Sequence, residues 1–584
     1  MSAALGVERS VTGQPWRWRR EPGDALGMDA LVDELLLARG VAREDLARHR
    51  EPRIRDFLPD PSCFQDMDKG ATRLADAVQR GEAIAIFGDY DVDGATSAAL
   101  LVLLLRRLGA KPMVYIPDRL MEGYGPSGKA LVELKTKGAS VAVCVDCGAQ
   151  AFDAIEEAKA AGLDVIVVDH HQCASLLPVA FALINPNRLD ESMDGAAHGH
   201  LAAVGMAFLL GVALLRELRG RGVFEALAEP RIIDLLDLVA LGTVADVARL
   251  RSLNRAFVTQ GLRVMAARQN VGLAALAEAA RLVKPPSCRD LGFALGPRIN
   301  AGGRVGKSDL GVRLLTSTDP EEARTIAAEL DRLNEERRTI EMLVTEQAEA
   351  QAAGQADAPL ILVMGCGWHP GVIGIVAGRL KDKFGRPAIV IAEDEKDGTG
   401  KGSGRSISGV DLGAAVLAAK DEGLLVAGGG HAMAAGLTLA PGGLEPLRQF
   451  LHDRLAKDIG QSRGGRAMLI DASLAPGGVA ASLCDALDTA GPYGAGWPSP
   501  RVAVGPARLI KLGIVGTGHV RGIACGDDGK SFKFIAFRSA DTPLGRALLE
   551  APADQRWWLA GTIKRDEWNG GNAAEMHLED AALA

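Results

Sequence analysis

The sequence predicts a multidomain α/β protein: a parallel-sheet domain, a long connecting helix, a second α/β domain and a C-terminal β-barrel. Three observations carry this reading. Short β-branched runs alternate with Ala/Leu-rich helical stretches between about residues 80 and 185, the pattern of parallel strands joined by crossover helices. Residues 319–351 form one long, charged helical stretch, after which a second strand–helix alternation begins. Beyond about residue 460, Gly-rich turns separate β-prone runs at 502–504, 532–537 and 557–560, as in a small barrel or sandwich.

Taken in order, residues 1–70 form an N-terminal segment expected to pack on the core. It holds Trp16, Trp18 and a helical stretch at 28–37, and its Pro-rich end, Phe57-Leu58-Pro59-Asp60-Pro61, reads as a boundary. The first domain, 71–315, has strands at 83–87, 113–116, 141–145 and 165–168, helices at 95–108, 129–137 and 152–161, and a helical region at 200–285. Residues 316–355 are the connecting helix, polar enough to serve as a spacer between two lobes. The second α/β domain, 356–460, opens near Ala356 with a strand at 360–364, a Gly-rich turn, a helix at 371–381 and a strand at 388–391. Residues 461–584 make the barrel.

Bulk properties exclude several classes. With 584 residues, 48% hydrophobic and 24% charged, the chain is long enough for several cores and is not disordered. A net charge of −8 argues against coating nucleic acid by bulk charge, but not against a local basic channel. The longest apolar runs, such as 98–105, are far short of a membrane span. The opening MSAALGVERSVTG lacks a basic segment followed by an apolar one, so no secretory signal is expected and the cytoplasm is the expected compartment. Eight cysteines are too sparse for a disulfide framework. Cys144 and Cys147 form a lone C-x-x-C, read as a buried strand residue and the turn after it rather than a zinc site.

The acids fall in an informative place. The first strand runs into Asp89-Tyr90-Asp91-Val92-Asp93-Gly94, the strand at 141–145 into Asp146, and the strand at 165–168 into Asp169-His170-His171. In a parallel sheet all three groups reach the carboxyl edge, where open α/β sheets build their sites. The spacing of Asp89, Asp91 and Asp93 puts alternate side chains on one side of an extended chain, with Gly94 turning it into the helix. Asp246, in Gly242-Thr243-Val244-Ala245-Asp246-Val247, follows an apolar helix at 232–241. Any one such Asp alone reads as a helix N-cap. Together, with a His pair, they would repel one another without bound cations. Oxygen ligands with one or two imidazoles suit Mn²⁺ or Mg²⁺. Two such ions about 3.5–4 Å apart would hold a phosphate, activate the attacking water and stabilise the leaving oxygen.

Gly-Asp-Tyr-Asp-Val-Asp-Gly (88–94), Val-Asp-Cys-Gly (145–148), Asp-His-His (169–171) and Gly-Thr-Val-Ala-Asp-Val (242–247) resemble the four motifs of the DHH phosphoesterase superfamily. The first motif and the overall size resemble its RecJ family of single-strand-specific 5′→3′ exonucleases. The resemblance implies a DHH domain, a DHH-associated substrate-binding domain and an oligonucleotide-binding (OB) barrel. It also implies two Mn²⁺ or Mg²⁺ ions on Asp89, Asp91, Asp93, Asp146, His170 and Asp246. Asp169 and His171 would then orient ligands or touch phosphate.

Further stretches read as phosphate contacts. Arg119 and Tyr124 lie in a Gly-containing loop, 119–125, and Arg298, Asn300 and Arg304 lie in Gly296–Arg304, read as a turn flanked by two Arg. In the second domain, His369, Arg405, Ser406 and the Gly428-Gly429-Gly430-His431 run combine glycines with cationic groups, with a helix N-terminus favouring an anion. The family resemblance implies that Arg405 and His431 contact phosphate, with His369 nearby and the Arg119 and Arg298–Arg304 stretches gripping the 5′ end. Trp497, in Gly491–Pro498, stands where the family usually has Asn and reads as core.

The expected function is release of 5′ mononucleotides from single-stranded DNA in repair and recombination, by a monomer without membrane association. A helicase and a single-strand-binding protein are the partners implied. A DHH phosphodiesterase of short oligonucleotides or cyclic dinucleotides is the alternative enzyme, and it leaves the N-terminal segment and barrel without a role. A non-catalytic single-strand-binding or scaffold relative would have lost the acids, and none is missing.

Overall fold

Strand β1 (Trp16–Trp18) belongs with the C-terminal residues, and the β-branched runs that follow it build a separate sheet. The computed structural model describes residues 2–21, 27–119, 121–355, 358–462, 467–566 and 571–584. Ala356, where the second α/β domain was expected to open, and Leu120 of the 119–125 loop lie outside the described residues. The chain forms two units: Pro59–Ala248 with Gly261–Gly464, and Met1–Leu58 with Arg249–Gln260 and Gly465–Ala584.

In the first of these units, strands β2 (Ile84–Gly88), β3 (Met113–Tyr115), β4 (Val141–Val145), β5 (Asp164–Val168) and β6 (Ala182–Ile184) form a parallel sheet of order β3-β2-β4-β5-β6. Strands β2 and β4 are buried along their whole length, as parallel strands covered on both faces must be. Helices Gly128–Thr136 and Phe152–Ala160 cover one face through Leu131, Leu134, Ile155 and Ala158. Helices Val92–Arg107 and Ala203–Gly220 cover the other and are buried almost all round. The strand order reverses between β2 and β4, so Asp89 and Asp146 flank the switch point where such sheets bind ligands.

The connecting helix, Pro320–Ala353, starts with Asp319 accepting the Glu321 N–H and with proline in its first turn. It connects the two α/β domains as its composition suggested, but it is packed along one side. One stripe, from Ala323 through Leu330 and Val344 to Ala352, is buried. Its first half packs on helices Val271–Ala279 and Gly296–Val305, and its second half on helix Ile373–Phe384 and the next sheet. That sheet comprises β7 (Ile361–Cys366), β8 (Ala388–Glu393), β9 (Gly400–Arg405), β10 (Ala427–His431) and β11 (Ala434–Leu439), in the order β10-β11-β9-β8-β7. Only the β7–β8 pairing is parallel.

The other unit holds β12 (Met468–Ile470), β13 (Ala472–Leu474), β14 (Val502–Val515), β15 (His519–Cys525), β16 (Ser531–Ala536), β17 (Trp557–Arg565) and β18 (Ala574–Leu583). Strands β14-β15-β16-β18-β17 close into a five-stranded barrel through the β14–β17 pairing, the strand order of an OB fold. Of the expected N-terminal segment, the part up to Leu58 packs on the core of the barrel, whereas residues 59–70 belong to the other unit, where helix Met67–Arg80 runs across the expected boundary. β1 pairs in parallel with β12, and the Trp16 indole donates to Asp580 Oδ2 at 2.9 Å. Buried Asp471 accepts from Arg19 at 2.8 Å and Arg39 at 2.9 Å. Trp497 is half-buried against Val32, Leu36 and Ala490, with its indole N–H on the Ala490 carbonyl, so it acts as packing, not as an exposed stacking platform. Among the described residues, no helix is long and apolar enough to cross a membrane.

Gly94 shows how tightly the first acidic turn is built. A Cβ there would lie 2.4 Å from the Asp89 carbonyl oxygen. Gly94→Ala should therefore lower stability by about 1–3 kcal/mol, read as a lower urea midpoint at unchanged m-value.

Candidate active site

The three acid-terminated strands are level because their ladder continues one residue past each strand. The Asp89 N–H donates to Val145 O at 3.3 Å, Asp146 N–H to Val168 O at 3.0 Å and Asp169 N–H to Ile184 O at 3.1 Å. The carboxyl edge thus carries Asp89, Asp146 and Asp169 side by side, as the alternation of strands predicts. Asp146 has a φ of 62°, a left-handed conformation that costs a non-glycine residue on the order of 1–3 kcal/mol. The ladder bond on its N–H and the Tyr124 hydroxyl, 2.9 Å from its carbonyl, hold it there.

The first motif differs from its expected extended form. The helix already begins at Val92, so Asp91 is its N-cap, accepting from Gly94 N–H at 3.0 Å, and Asp93 lies in the first turn. Asp93 still turns inward, because its carboxylate accepts the Ala203 and Val204 N–H groups at 2.7 and 2.9 Å, at the start of helix Ala203–Gly220. Asp246 follows the last turn of helix Leu236–Ala245. That helix approaches closely enough that a Cβ on Gly242 would meet Thr96 Oγ1 at 2.3 Å.

These residues converge on His170. Its Nε2 lies 3.2 Å from Asp146 Oδ1 and 3.8 Å from Asp93 Oδ2, and its Nδ1 lies 3.9 Å from Asp246 Oδ2. Three sets have ligand atoms within 4.8 Å of one another: Asp89, Asp91 and Asp146; Asp93, His170 and Asp246; and Asp146, His170 and His171. Among the described residues, Asp89 Oδ1, Asp146 Oδ1 and His170 Nε2 are buried without a hydrogen-bond partner. Burial first, and then the neighbouring Asp91, push the Asp89 and Asp146 carboxyls well above the usual range. Burial and Asp246 raise Asp93 to about 7, and burial and Asp91 raise Asp246 to about 7. Orphaned ligand atoms of hard donor type, destabilised by one another's charge, fit divalent cations of the Mn²⁺/Mg²⁺ kind. The thiols do not compete: Cys144 and Cys147 are buried, and burial pushes Cys144 up to about 12.

Asp169 is different in kind. Burial opposes its charge, yet the hydrogen bond from His171 and the Ala149 N–H hold it down at about 2. It also accepts the N–H groups of His170 and His171. His171 Nδ1 lies 2.8 Å from Asp169 Oδ1, and despite burial this pairing raises the imidazole to about 9. The Asp169–His171 pair therefore braces the site while His170 faces the acids.

Three of the expected arginines gather near these acids. Arg119 lies 4.7 Å over the Tyr90 ring. Arg304 donates to the Gly371 carbonyl at 2.7 Å, and its hold on its proton falls to about 10 through burial, then through Arg119, Arg337 and Arg405. Arg405 is bound by Ser403 Oγ and the Gly404 carbonyl at 3.2 and 2.8 Å. His369 sits beside them, its Nδ1 accepting the Gly371 N–H at 3.0 Å.

Other expected contacts need correction. Gly296–Val305 is a helix, not a turn, because it packs on the connecting helix, and a Cβ on Gly303 would lie 3.0 Å from the Tyr90 carbonyl. Arg298 on it is held by Asp331 at 2.8 Å, whereas Asn300 is half-buried one turn before Arg304. Ser406 is buried with its hydroxyl on the Val410 carbonyl, so it supports the fold and does not face a ligand. Gly429, Gly430 and His431 lie on the edge strand β10 rather than at a helix N-terminus, and His431 is exposed. Ser403, not among the expected site residues, accepts from the Arg405 guanidinium. The two-residue period of Lys401, Ser403 and Arg405 along β9 was the available signal.

A carboxyl held near 7 in the fold and near 4 unfolded keeps its proton in the folded chain across that window. Its stabilising contribution is full below about pH 4 and lost as pH rises through about 7. Metal-free protein should lose melting temperature between about pH 4 and 7, Mn²⁺ should restore it at the upper end, and Asp246→Asn should flatten the slope. Thermal unfolding with and without EDTA checks this, and a wild-type slope unchanged by the substitution would contradict it.

Comparison with known proteins agrees with this geometry. Residues 83–243 match the model of the DHH family N-terminal domain, 357–457 the DHHA1 domain and 470–580 the RecJ OB domain. The chain is 39% identical over 510 residues to the single-stranded-DNA-specific exonuclease RecJ of Dickeya dadantii, covering 85% of this chain and 86% of that protein. It superposes on the crystal structure of RecJ from Thermus thermophilus in complex with Mn²⁺, with a TM-score of 0.77 and 28% identity over 95% of this chain and 76% of the other. The Mg²⁺ complex of that protein gives 0.70 and 27%, over 95% and 74%.

Proposed function

The chain belongs to the RecJ family of DHH phosphoesterases, and from that premise we propose that it is a single-stranded-DNA-specific 5′→3′ exonuclease, releasing 5′ mononucleotides by divalent-metal-dependent phosphodiester hydrolysis. The observation that carries the reading is the set of orphaned ligand atoms on Asp89, Asp146 and His170, with three arginines nearby. Asp89, Asp91, Asp93, Asp146, His170 and Asp246 would hold Mn²⁺ or Mg²⁺, ions carried by the Thermus relative. When bound, the ions neutralise the scissile phosphate and make water acidic enough to attack at neutral pH.

The protein's own groups do the rest. Hydrogen bonds fix Asp91 and Asp93, so two carboxylates arrive pre-oriented. His171, protonated at neutral pH against Asp169, supplies positive charge beside the phosphate. Arg119, Arg304 and Arg405, with Ser403, grip the terminal 5′ phosphate and so select the end. His369 and His431 would contact the strand from the second domain, and Tyr124 keeps Asp146 in place.

The same reading extends to the cell. An enzyme limited to single strands needs strand separation by another activity, which supports a helicase and a single-strand-binding protein as partners in repair and recombination. One chain supplies both the acids and the arginines, which supports a monomer. Eight free cysteines suit the reducing cytoplasm.

Asp146→Ala should abolish Mn²⁺-dependent release of labelled 5′ mononucleotide while leaving single-strand binding within a few-fold of wild type. Activity of this variant at the wild-type rate in excess Mn²⁺ would sink the ligand role. Arg405→Ala should raise KM for a 5′-phosphorylated strand by roughly 10–100-fold and affect a 5′-hydroxyl strand much less.

A further inference from the structure

The buried stripe of the connecting helix has an anomaly at its centre. It is apolar before (Ile326, Leu330, Leu333) and after (Val344, Ala348), but between them lie Asn334, Arg337 and Glu341, exposed by only 0%, 9% and 1%. An apolar side chain of similar volume commonly packs as well as a buried ion pair or better, so a gain in stability does not by itself account for these charges. The polar stretch falls where the helix passes from contact with helix Gly296–Val305 to contact with helix Ile373–Phe384.

Glu341 pairs there with two arginines, Arg337 of its own helix and Arg379 of helix Ile373–Phe384. Arg337 also donates to Asn334 Oδ1 at 2.8 Å. Two residues before helix Ile373–Phe384 stands Gly371, whose carbonyl holds Arg304, and a Cβ on Gly371 would lie 2.6 Å from the Arg304 carbonyl oxygen. Arg304 sits on helix Gly296–Val305, which packs on the connecting helix. The contacts therefore close a ring: Arg304 to Gly371, along the helix to Arg379, across to Glu341, and back through the connecting helix.

We propose that Glu341 is a positioning residue for the 5′-phosphate arginines: held by Arg337 of its own helix, it ties Arg379 to the connecting helix and so fixes Gly371 and thereby the aim of Arg304. The inference rests on the 5′-phosphate reading above. Arg304 is buried with the like charges of Arg119, Arg337 and Arg405 near it, and the Gly371 carbonyl is the acceptor that holds its guanidinium there. The acid cluster is not part of the ring.

The test is steady-state kinetics of the full chain with Mn²⁺ on two otherwise identical single strands, one 5′-phosphorylated and one 5′-hydroxyl. Glu341→Gln should raise KM for the phosphorylated strand about tenfold, with kcat and the hydroxyl-strand KM within about twofold. Arg379→Gln, at a side chain 55% exposed, should shift KM the same way and carries the test if Glu341→Gln does not fold. Arg379→Lys should restore most of the preference. An equal KM rise for both strands, a fall in kcat alone, or an unchanged KM in the folded variants would overturn the proposal. Arg405→Ala separates the premises: retained phosphate preference there removes the pocket itself, and with it the inference. Loss of preference there but not in the Glu341 and Arg379 variants removes the positioning role alone.

Discussion

Carboxylates taken out of water within a few ångströms of one another each carry a desolvation penalty of several kcal/mol, and their mutual repulsion adds to it. Much of the catalytic unit answers that penalty. At the periphery the answer is hydrogen bonding: the N–H groups of Ala203 and Val204 take Asp93, Gly94 takes Asp91, and Ala149 with His171 takes Asp169. At the centre nothing from the chain answers, and Asp89 Oδ1, Asp146 Oδ1 and His170 Nε2 stay unpartnered. The scaffold fixes the ligands and leaves the neutralisation to cations. Substrate and ions then act on the same electrostatic deficit, from opposite signs.

That division also explains how an acidic chain suits a polyanion. The formal charge of −8 counts the cluster as negative, although bound cations would offset it. The positive groups proposed to meet the strand end are few and local, held by named acceptors such as Gly371 and Ser403. Attraction of this kind is short-ranged and depends on a strand end reaching it.

The parts of this arrangement legible in the sequence were those set by local rules. A parallel strand must end at the carboxyl edge, so Asp89, Asp146 and Asp169 could be placed together before any coordinates. Residues fixed by tertiary packing could not. Asp93 reaches the cluster through a helix turn because the N–H groups at the start of another helix, 110 residues away, donate to its carboxylate. Arg298 and Ser406 looked as available as Arg304 and Arg405, and only their partners, Asp331 and Val410, show that they are occupied. The connecting helix read as a polar spacer because its buried stripe carries three polar residues at its centre, which composition cannot tell from a solvated face.

The unit containing the barrel is assembled from both ends of the polypeptide, whereas the catalytic unit needs nothing beyond Gly464. During synthesis every residue of the acid cluster and of the arginine group has been made before the first barrel strand is complete. Strand β1 waits for β12, and Trp16 waits for Asp580, four residues from the end. A chain cut between Asp471 and Asp580 therefore keeps every acid and arginine of the candidate site, and β12 for its N-terminal strand, but loses the acceptor of the Trp16 indole. The order of translation makes the chemistry first and the closure of the other unit last.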